Sequence, residues 1–403
     1  MAVIHPFKAW RPDPQEVTEI SSVPYDVIST EEAHQLAENK PQSFIHVVRP
    51  EIDLPENVDI YDDSVYQKGG ENLQRLMEEG HLKQDEARSL YIYRLSKGDS
   101  SQKGIFGCVS VDDYDNDVIL KHELTRPAKE DDRTRHILTQ SAHAEPVMMT
   151  YKDTAEIGLM TKKIINNTEP IYNFEDESGV RHTLWNIKSP QPFERAFGDI
   201  PNLYIADGHH RCKSASRVAE KLREQNSNHT GEEEYNFFPA VLFPVNEMNI
   251  LPYNRILHDV SHEQWKNLST NFELREDASP KPAEKGKVAI YHDGKWWGLE
   301  LPKKENPNSV EKLDVARLQE YILQPIFGIE DQRKDKNLDF VGGIRGTGEL
   351  EQRVDSGEVD MAISMYPTSI KELIDVSDEG RLMPPKSTWF EPKIRSGILV
   401  HSF

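Results

Sequence analysis

The sequence predicts an α+β fold. Strand-like and helix-like segments alternate along all 403 residues without the regular period of βαβ units. No internal repeat or low-complexity tract breaks the pattern.

The elements follow in order. Pro24 turns the chain, and Ser29 and Glu32 then stand at capping-box spacing ahead of a helix. "SFIHVVRPEIDL" reads as a strand. "VYQKGGENLQRLMEEG" reads as a helix ending at Gly80. "SLYIYRLSK" and "QKGIFGCVSVDDYD" read as neighbouring strands. "DVILKHELTRP" is a further strand stopped by Pro127, and "EDDRTRHILTQSA" the helix after it. "VMMTYKD", "HTLWNIKS" and the buried "FFPAVLFPV" add strands, and residues 226–236 form a polar, acidic loop. "VAIYHDGKWWGLEL" reads as a hairpin closing near Asp293-Gly294. A helix, "DVARLQEYILQPIFG", and the strands "DMAISMYP" and "GILVHSF" finish the chain. Residues Ala278 to Lys287 look like a linker. They divide the chain into a core, 1–277, and a C-terminal α/β portion, 288–403, expected to pack back on the core.

Composition narrows the function. The formal net charge of −21 disfavours nucleic acid and anionic membrane as partners, because phosphate backbones require clustered Lys and Arg. It leaves room for a local basic pocket that takes a small anion. Cys108 and Cys212 cannot frame a disulfide scaffold in so long a chain. With no apolar leader in "MAVIHPFKAWRPDP" and a mean hydropathy of −0.68, the sequence reads as cytoplasmic.

Three stretches carry chemistry. In "YIADGHHRCKSA", residues 203–206 form a strand, Asp207-Gly208 the turn, and Cys212, Ala215, Val218, Ala219 and Leu222 one apolar helix face. His209, His210 and Arg211 therefore sit in the first turn of a helix, where the dipole favours anions. Main-chain N–H groups, an Arg fork and His donors together suit a phosphate. Asp207 could instead cap the helix, with the basic groups paired to local carboxylates. A metal site from His209 and His210 needs ligands from elsewhere, so no metal ligand is assigned.

In "LKHELTRPAKEDDRTRH", strand parity sends His122 and Glu123 to opposite faces and groups Glu123 with Thr125. A carboxylate there suits a general base, with Asp26 of "PYDV" as the alternative, or a ligand of Mg²⁺. In "MPPKSTWFEPKIRSGI", Lys386, Lys393 and Arg395 form a basic patch beside Trp389 and Phe390. It is either a lid over an anion or an edge segment tied down by its aromatics. "GGIRGTG" lacks the ending of a P-loop and reads as a turn.

The ordered set "SVPYDVISTEEA", "HELTRPAKEDDR", "YIADGHHR" and "MPPKSTWFEPKIRSG" resembles a large bacterial and archaeal family catalogued as a domain of unknown function. The "DGHHR" element is similar to the phosphate-binding turn of the ParB/sulfiredoxin superfamily, which includes archaeal ADP-dependent free-serine kinases. The resemblance implies a ParB/sulfiredoxin-like nucleotide-binding core elaborated with additional α/β segments. It implies a small-molecule phosphotransferase using Mg²⁺ with ADP or ATP. A nucleotide-gated switch of ParB type and a metal-dependent phosphohydrolase are the alternatives. Glu123, Asp207 and His209 are the candidate catalytic residues. Gly208, His210, Arg211, Thr125, Lys386 and Lys393 are the candidate phosphate or nucleotide ligands.

Overall fold

The computed structural model describes residues 1–403. The chain forms two compact units, Met1–Met248 with Pro392–Phe403, and Asn249–Glu391.

The first unit is built on a nine-stranded mixed sheet. Its strands are β1 (Ile4–His5), β2 (Leu90–Lys97), β3 (Ser100–Ser110), β4 (Ile119–Leu120), β5 (Val147–Tyr151), β6 (Tyr172–Glu175), β7 (Arg181–Ile187), β8 (Leu203–Asp207) and β9 (Phe237–Pro244). The order is β4-β8-β5-β9-β3-β2-β7-β6, with β1 also on β3. Pairs β4–β8 and β5–β9 are parallel and the others antiparallel. The central strands read as apolar runs because both faces are covered: Leu90, Ile92, Ile105, Val147, Met149, Ile205 and Leu242 pack with Phe193, Phe197, Cys212 and Ala215 in one core. Cys108 and Cys212 are separate, buried thiols.

Helices α1 (Thr30–Ala37), α2 (Asp63–Glu78), α3 (Pro127–Gln140) and α4 (His209–Gln225) belong to the same unit. The expected capping box opens α1: the Glu32 N–H donates to Ser29 Oγ at 3.1 Å, and the Ser29 N–H to Glu32 Oε2 at 2.8 Å. Helix α2 is capped by Asp62, buries Val65, Tyr66, Leu73 and Leu76 on one stripe, and is left through Gly80 at φ 81°. Pro127 occupies the first turn of α3, where its missing N–H costs nothing.

Two strand expectations are corrected. Residues 45–53 form a short helix (Ile45–Val48) and a 3₁₀ turn (Pro50–Asp53). Their β-branched residues find no strand partner, and Phe44, Val47 and Val48 pack instead against Leu73 and Leu76 of α2. Tertiary packing overrides β propensity there. The strand expected over "DVILKHELTRP" shrinks to Ile119–Leu120, and residues 121–126 follow it as loop.

The second unit carries a six-stranded sheet of β10 (Tyr253–Leu257), β11 (Arg275–Glu276), β12 (Lys287–His292), β13 (Lys295–Glu300), β14 (Leu338–Gly342) and β15 (Met361–Met365). The order is β11-β13-β12-β15-β10-β14, antiparallel throughout. The predicted hairpin closes at Asp293 (φ 49°) and Gly294 (φ 73°), the paired positive angles of a two-residue hairpin turn. The stretch read as a linker, 278–287, joins β11 to β12 inside this unit. The chain changes units at 248/249 and 391/392 instead. Trp389–Phe390 pairs with Ile250–Leu251 as a short antiparallel ladder. This is the edge-segment reading of the basic patch, with Trp389 lying over Gly342, where a Cβ would meet its ring at 2.7 Å. No helix is long and apolar enough to cross a membrane.

Burial gives the first unit a pH dependence. His136, His143 and His401 are buried, and burial pushes each pKa below the ordinary 6.5, most strongly for His136 and His143. The unfolded chain therefore takes up protons at higher pH than the folded one. Stability is fully present above pH 6.5 and is lost as pH falls toward the folded values. The melting temperature should drop steadily from pH 7 to about pH 5. A scan that is flat over that interval contradicts the assignment.

Candidate functional site

The site begins where β8 ends. Its register against β5 shifts between Ile205 and Asp207, a bulge that re-aims Asp207. Gly208 then takes φ 105° and serves as N-cap of α4. Having no side chain, it leaves the first turn of this 17-residue helix without a side-chain cap. The apolar face predicted for α4 is buried at Cys212, Ala215, Val218 and Ala219.

Asp207 is half-buried and does not cap the helix end in the way one sequence reading allowed. Its Oδ2 lies 3.2 Å from Lys393 Nζ and 3.6 Å from Arg211 Nη2. Burial works to raise the Asp207 pKa, but Lys393 first and Arg211 second outweigh it and hold the carboxyl well below the usual range. Arg211 is buried, with Nη1 on the Pro146 carbonyl and no hydrogen-bond partner for Nη2. Burial opposes its charge, and Asp26, Asp207 and Glu145 restore it. Asp26 thus acts on the same guanidinium from the 3₁₀ turn Tyr25–Val27.

The two histidines join α4 to the 121–126 loop. The Arg126 N–H donates to His210 Nε2 at 3.0 Å, and the His122 N–H to His209 Nε2 at 3.4 Å. The His122 and His209 rings meet edge to face, 4.4 Å between centroids. Burial lowers the pKa of His122 to about 4 and that of His209 well below its ordinary value, and it lowers His210 as well. All three are neutral imidazoles at pH 7.

This geometry corrects the strand-parity argument. His122 and Glu123 lie on loop, not on alternating strand positions, and ligand atoms of His122, Glu123 and His209 fall within 4.8 Å of one another. Thr125 is not grouped with Glu123: its Oγ1 donates to Glu130 Oε1 at 2.5 Å. Lys386 belongs to the second unit, at φ 56° with its ammonium 5.2 Å from the Tyr253 ring centroid. Lys393 and Arg395 belong to the first unit. There Arg395 donates to the Ser21 carbonyl at 2.6 Å and pairs with Asp176 at 3.2 Å.

Comparison with known proteins fits this arrangement into a family. Residues 4–316 match the family model described as a protein of unknown function, DUF1015. The chain belongs to the DUF1015 family. The matched span holds Glu123, Thr125 and the 207–211 turn, while Lys386 and Lys393 lie beyond it. No curated protein matches the chain. Similar solved structures include a free serine kinase in complex with AMP, at 13% identity and TM-score 0.38, covering 73% of this chain and 91% of that one. They also include SbnI with a C-terminal truncation from Staphylococcus aureus, at 13% and 0.39, covering 73% and 87%. A conserved hypothetical protein from Pyrococcus furiosus stands at 14% and 0.37, covering 73% and 94%. Likeness at this level leaves the chemistry to be argued from the residues of this DUF1015 chain.

Sequence reasoning missed Glu145. It is buried, accepts from the Tyr25 N–H and Ser396 Oγ at 3.1 Å each, and lies 3.6 Å from Arg133. Arg133 in turn sits 3.9 Å from the Tyr25 ring centroid. A Glu-Pro pair opening an apolar strand was the available signal, since a carboxylate bordering a buried strand needs partners.

The corner depends on Gly208. A Cβ there would meet Arg211 Nε at 3.1 Å and Val147 Cγ1 at 3.2 Å, at a φ that L-residues rarely adopt. Gly208→Ala should destabilise the protein by roughly 1–3 kcal/mol, the range for a strained backbone position. Chemical denaturation measures it, and an unchanged midpoint refutes the strain.

Proposed function

We propose that the chain binds a nucleotide phosphate at the Asp207–Arg211 corner, and that it is a small-molecule phosphotransferase with ADP or ATP as donor. The acceptor is free serine or a similar hydroxyl compound, and the core is of ParB/sulfiredoxin type. One observation carries the reading. Two cations, Lys393 and Arg211, converge on one carboxylate at a helix N-terminus that no side chain caps. The "DGHHR" resemblance points the same way.

Phosphoryl transfer asks mainly for positioning and charge neutralisation. The first-turn N–H groups of α4 and the helix dipole receive the phosphate oxygens. Arg211 Nη2 adds a donor that has no other hydrogen bond. Neutral His210 accepts at Nε2 from Arg126, so its own N–H is on Nδ1 and is the second donor. Lys393 supplies the second positive charge. Asp207, kept ionised, holds Lys393 and Arg211 in place. Glu123 takes the acceptor's hydroxyl proton as its oxygen bonds to phosphorus and the nucleotide leaves with the electrons of the broken P–O bond. The corner does not fit Mg²⁺ as a protein-held ion. Mg²⁺ takes oxygen ligands, and here Asp207 is engaged with two cations while the other donors are largely imidazoles.

Titration calorimetry with ADP and ATP tests the site. His210→Ala and Lys393→Ala should each weaken binding by about 1.5–3 kcal/mol, as for a hydrogen bond to a charged group; unchanged affinity in both removes the corner as the phosphate site. Incubation with nucleotide, Mg²⁺ and a metabolite pool tests the reaction. A phosphorylated metabolite supports the kinase, whereas inorganic phosphate alone indicates a nucleotidase or switch. Glu123→Gln should keep nucleotide affinity and lose turnover by about 10²–10⁴-fold. Wild-type turnover in that protein, with the loss appearing in Asp26→Asn, transfers the base role to Asp26.

A further inference from the structure

We propose that His122, Glu123 and His209 form a binding site for a transition-metal dication of the Zn²⁺ or Co²⁺ class. The proposal does not rest on the nucleotide reading: it concerns the chain without nucleotide, and because it engages the same Glu123 carboxylate named above as the base, the two roles belong to different states of the site.

Two elements bring the ligands together. His122 and Glu123 stand on the loop after β4, and His209 is the first residue of α4. Strand β4 runs parallel to β8, with Leu120 opposite Tyr204, so the loop and the helix start leave the same end of the sheet. One ligand atom from each residue then lies within 4.8 Å of the other two.

The imidazoles are set as a metal requires. His122 Nδ1 is buried with no hydrogen-bond partner. Buried polar nitrogens are ordinarily paired, so this atom is open to a ligand. A buried nitrogen left unpaired is destabilising, and a bound ion would remove that penalty. His209 is buried too, and its Nε2 meets the His122 N–H at 3.4 Å, a contact long enough to give way. Glu123 brings the negative charge, and Asp207, whose field reaches both rings, adds to it.

Donor type selects the ion. Two nitrogens and one carboxylate oxygen suit Zn²⁺ and Co²⁺ and are foreign to Mg²⁺ or Ca²⁺. Bonds of 2.0–2.2 Å place tetrahedral ligands roughly 3.4 Å apart, so the ligands must draw together on loading. Residues 121–126, which carry two of them, have no helix or strand hydrogen bonding to resist that. Three protein ligands leave a fourth position open, as in catalytic rather than structural zinc sites.

Co²⁺ titration of the full chain after chelator treatment, without nucleotide, reads the site through visible d–d absorption and equilibrium dialysis. One equivalent should bind with the intense bands of a four-coordinate ion, and Zn²⁺ should displace it. Glu123→Gln alters a half-buried loop residue and should weaken Co²⁺ by about tenfold or more while preserving the fold, given that loss of even an outer partner costs about 10–100-fold. His122→Asn should abolish the band, and His210→Ala should keep it. Wild-type protein that binds no stoichiometric Co²⁺ or Zn²⁺ overturns the proposal. So does a Co²⁺ spectrum that both Glu123→Gln and His122→Asn leave unchanged. Loss of ADP binding with Co²⁺ binding intact counts against the nucleotide reading alone.

Discussion

A half-buried carboxylate kept ionised between two cations is the constraint on which the site depends. Burial would drive Asp207 toward its neutral form, and Lys393 and Arg211 do most to prevent that. The three groups come from the end of β8, the first turn of α4 and the returning C-terminal segment. The pairing therefore fixes a strand end, a helix start and the chain terminus together. A partly exposed ion pair contributes little to stability by itself. Its consequence lies in geometry: Gly208, with no side chain, turns the backbone at φ 105° directly beneath it.

The charges at this corner differ from their sequence appearance. "DGHHR" reads as three basic residues against a helix dipole, yet burial leaves both histidines neutral. A neutral imidazole offers one donor and one acceptor. The acceptors are used to fasten the 121–126 loop to α4. Positive charge at the site is thereby confined to Arg211 and Lys393. One of these is buried and fixed on Pro146, and the other is half-buried on a flexible stem.

Within the second unit, the "MPPKSTWF" segment is held by groups that the sequence did not mark. Arg255 is fully buried and donates to the Tyr253 and Pro385 carbonyls and to Gln332. Burial lowers its pKa to about 9, since no carboxylate compensates the charge. Thr368 Oγ1 bonds the Ser387 carbonyl, and Ser387 Oγ the Pro384 carbonyl. The segment is tied down through main-chain acceptors, which a two-proline run exposes because it lacks N–H groups of its own.

Local signals were legible wherever the cause was local. The Ser29–Glu32 capping box, the Asp293-Gly294 turn, the exit of α2 at Gly80 and the strand–turn–helix of 203–225 all follow from residues within a few positions of one another. The α+β class followed from their irregular order. What the sequence could not carry depended on distant partners. Residues 45–53 are β-branched but lack a sheet edge to join, so packing on α2 makes them helical. Residues 121–126 lose their strand after Leu120, which frees Glu123 from parity with Thr125 and lets it join His122 and His209. Glu145 acquires Tyr25 from 120 positions away and Ser396 from 251. Asp207 and Lys393 are 186 positions apart. The sequence determined which groups could bind an anion or an ion. Tertiary structure decided which are charged, because burial and pairing set ionisation and neither is a property of neighbouring residues.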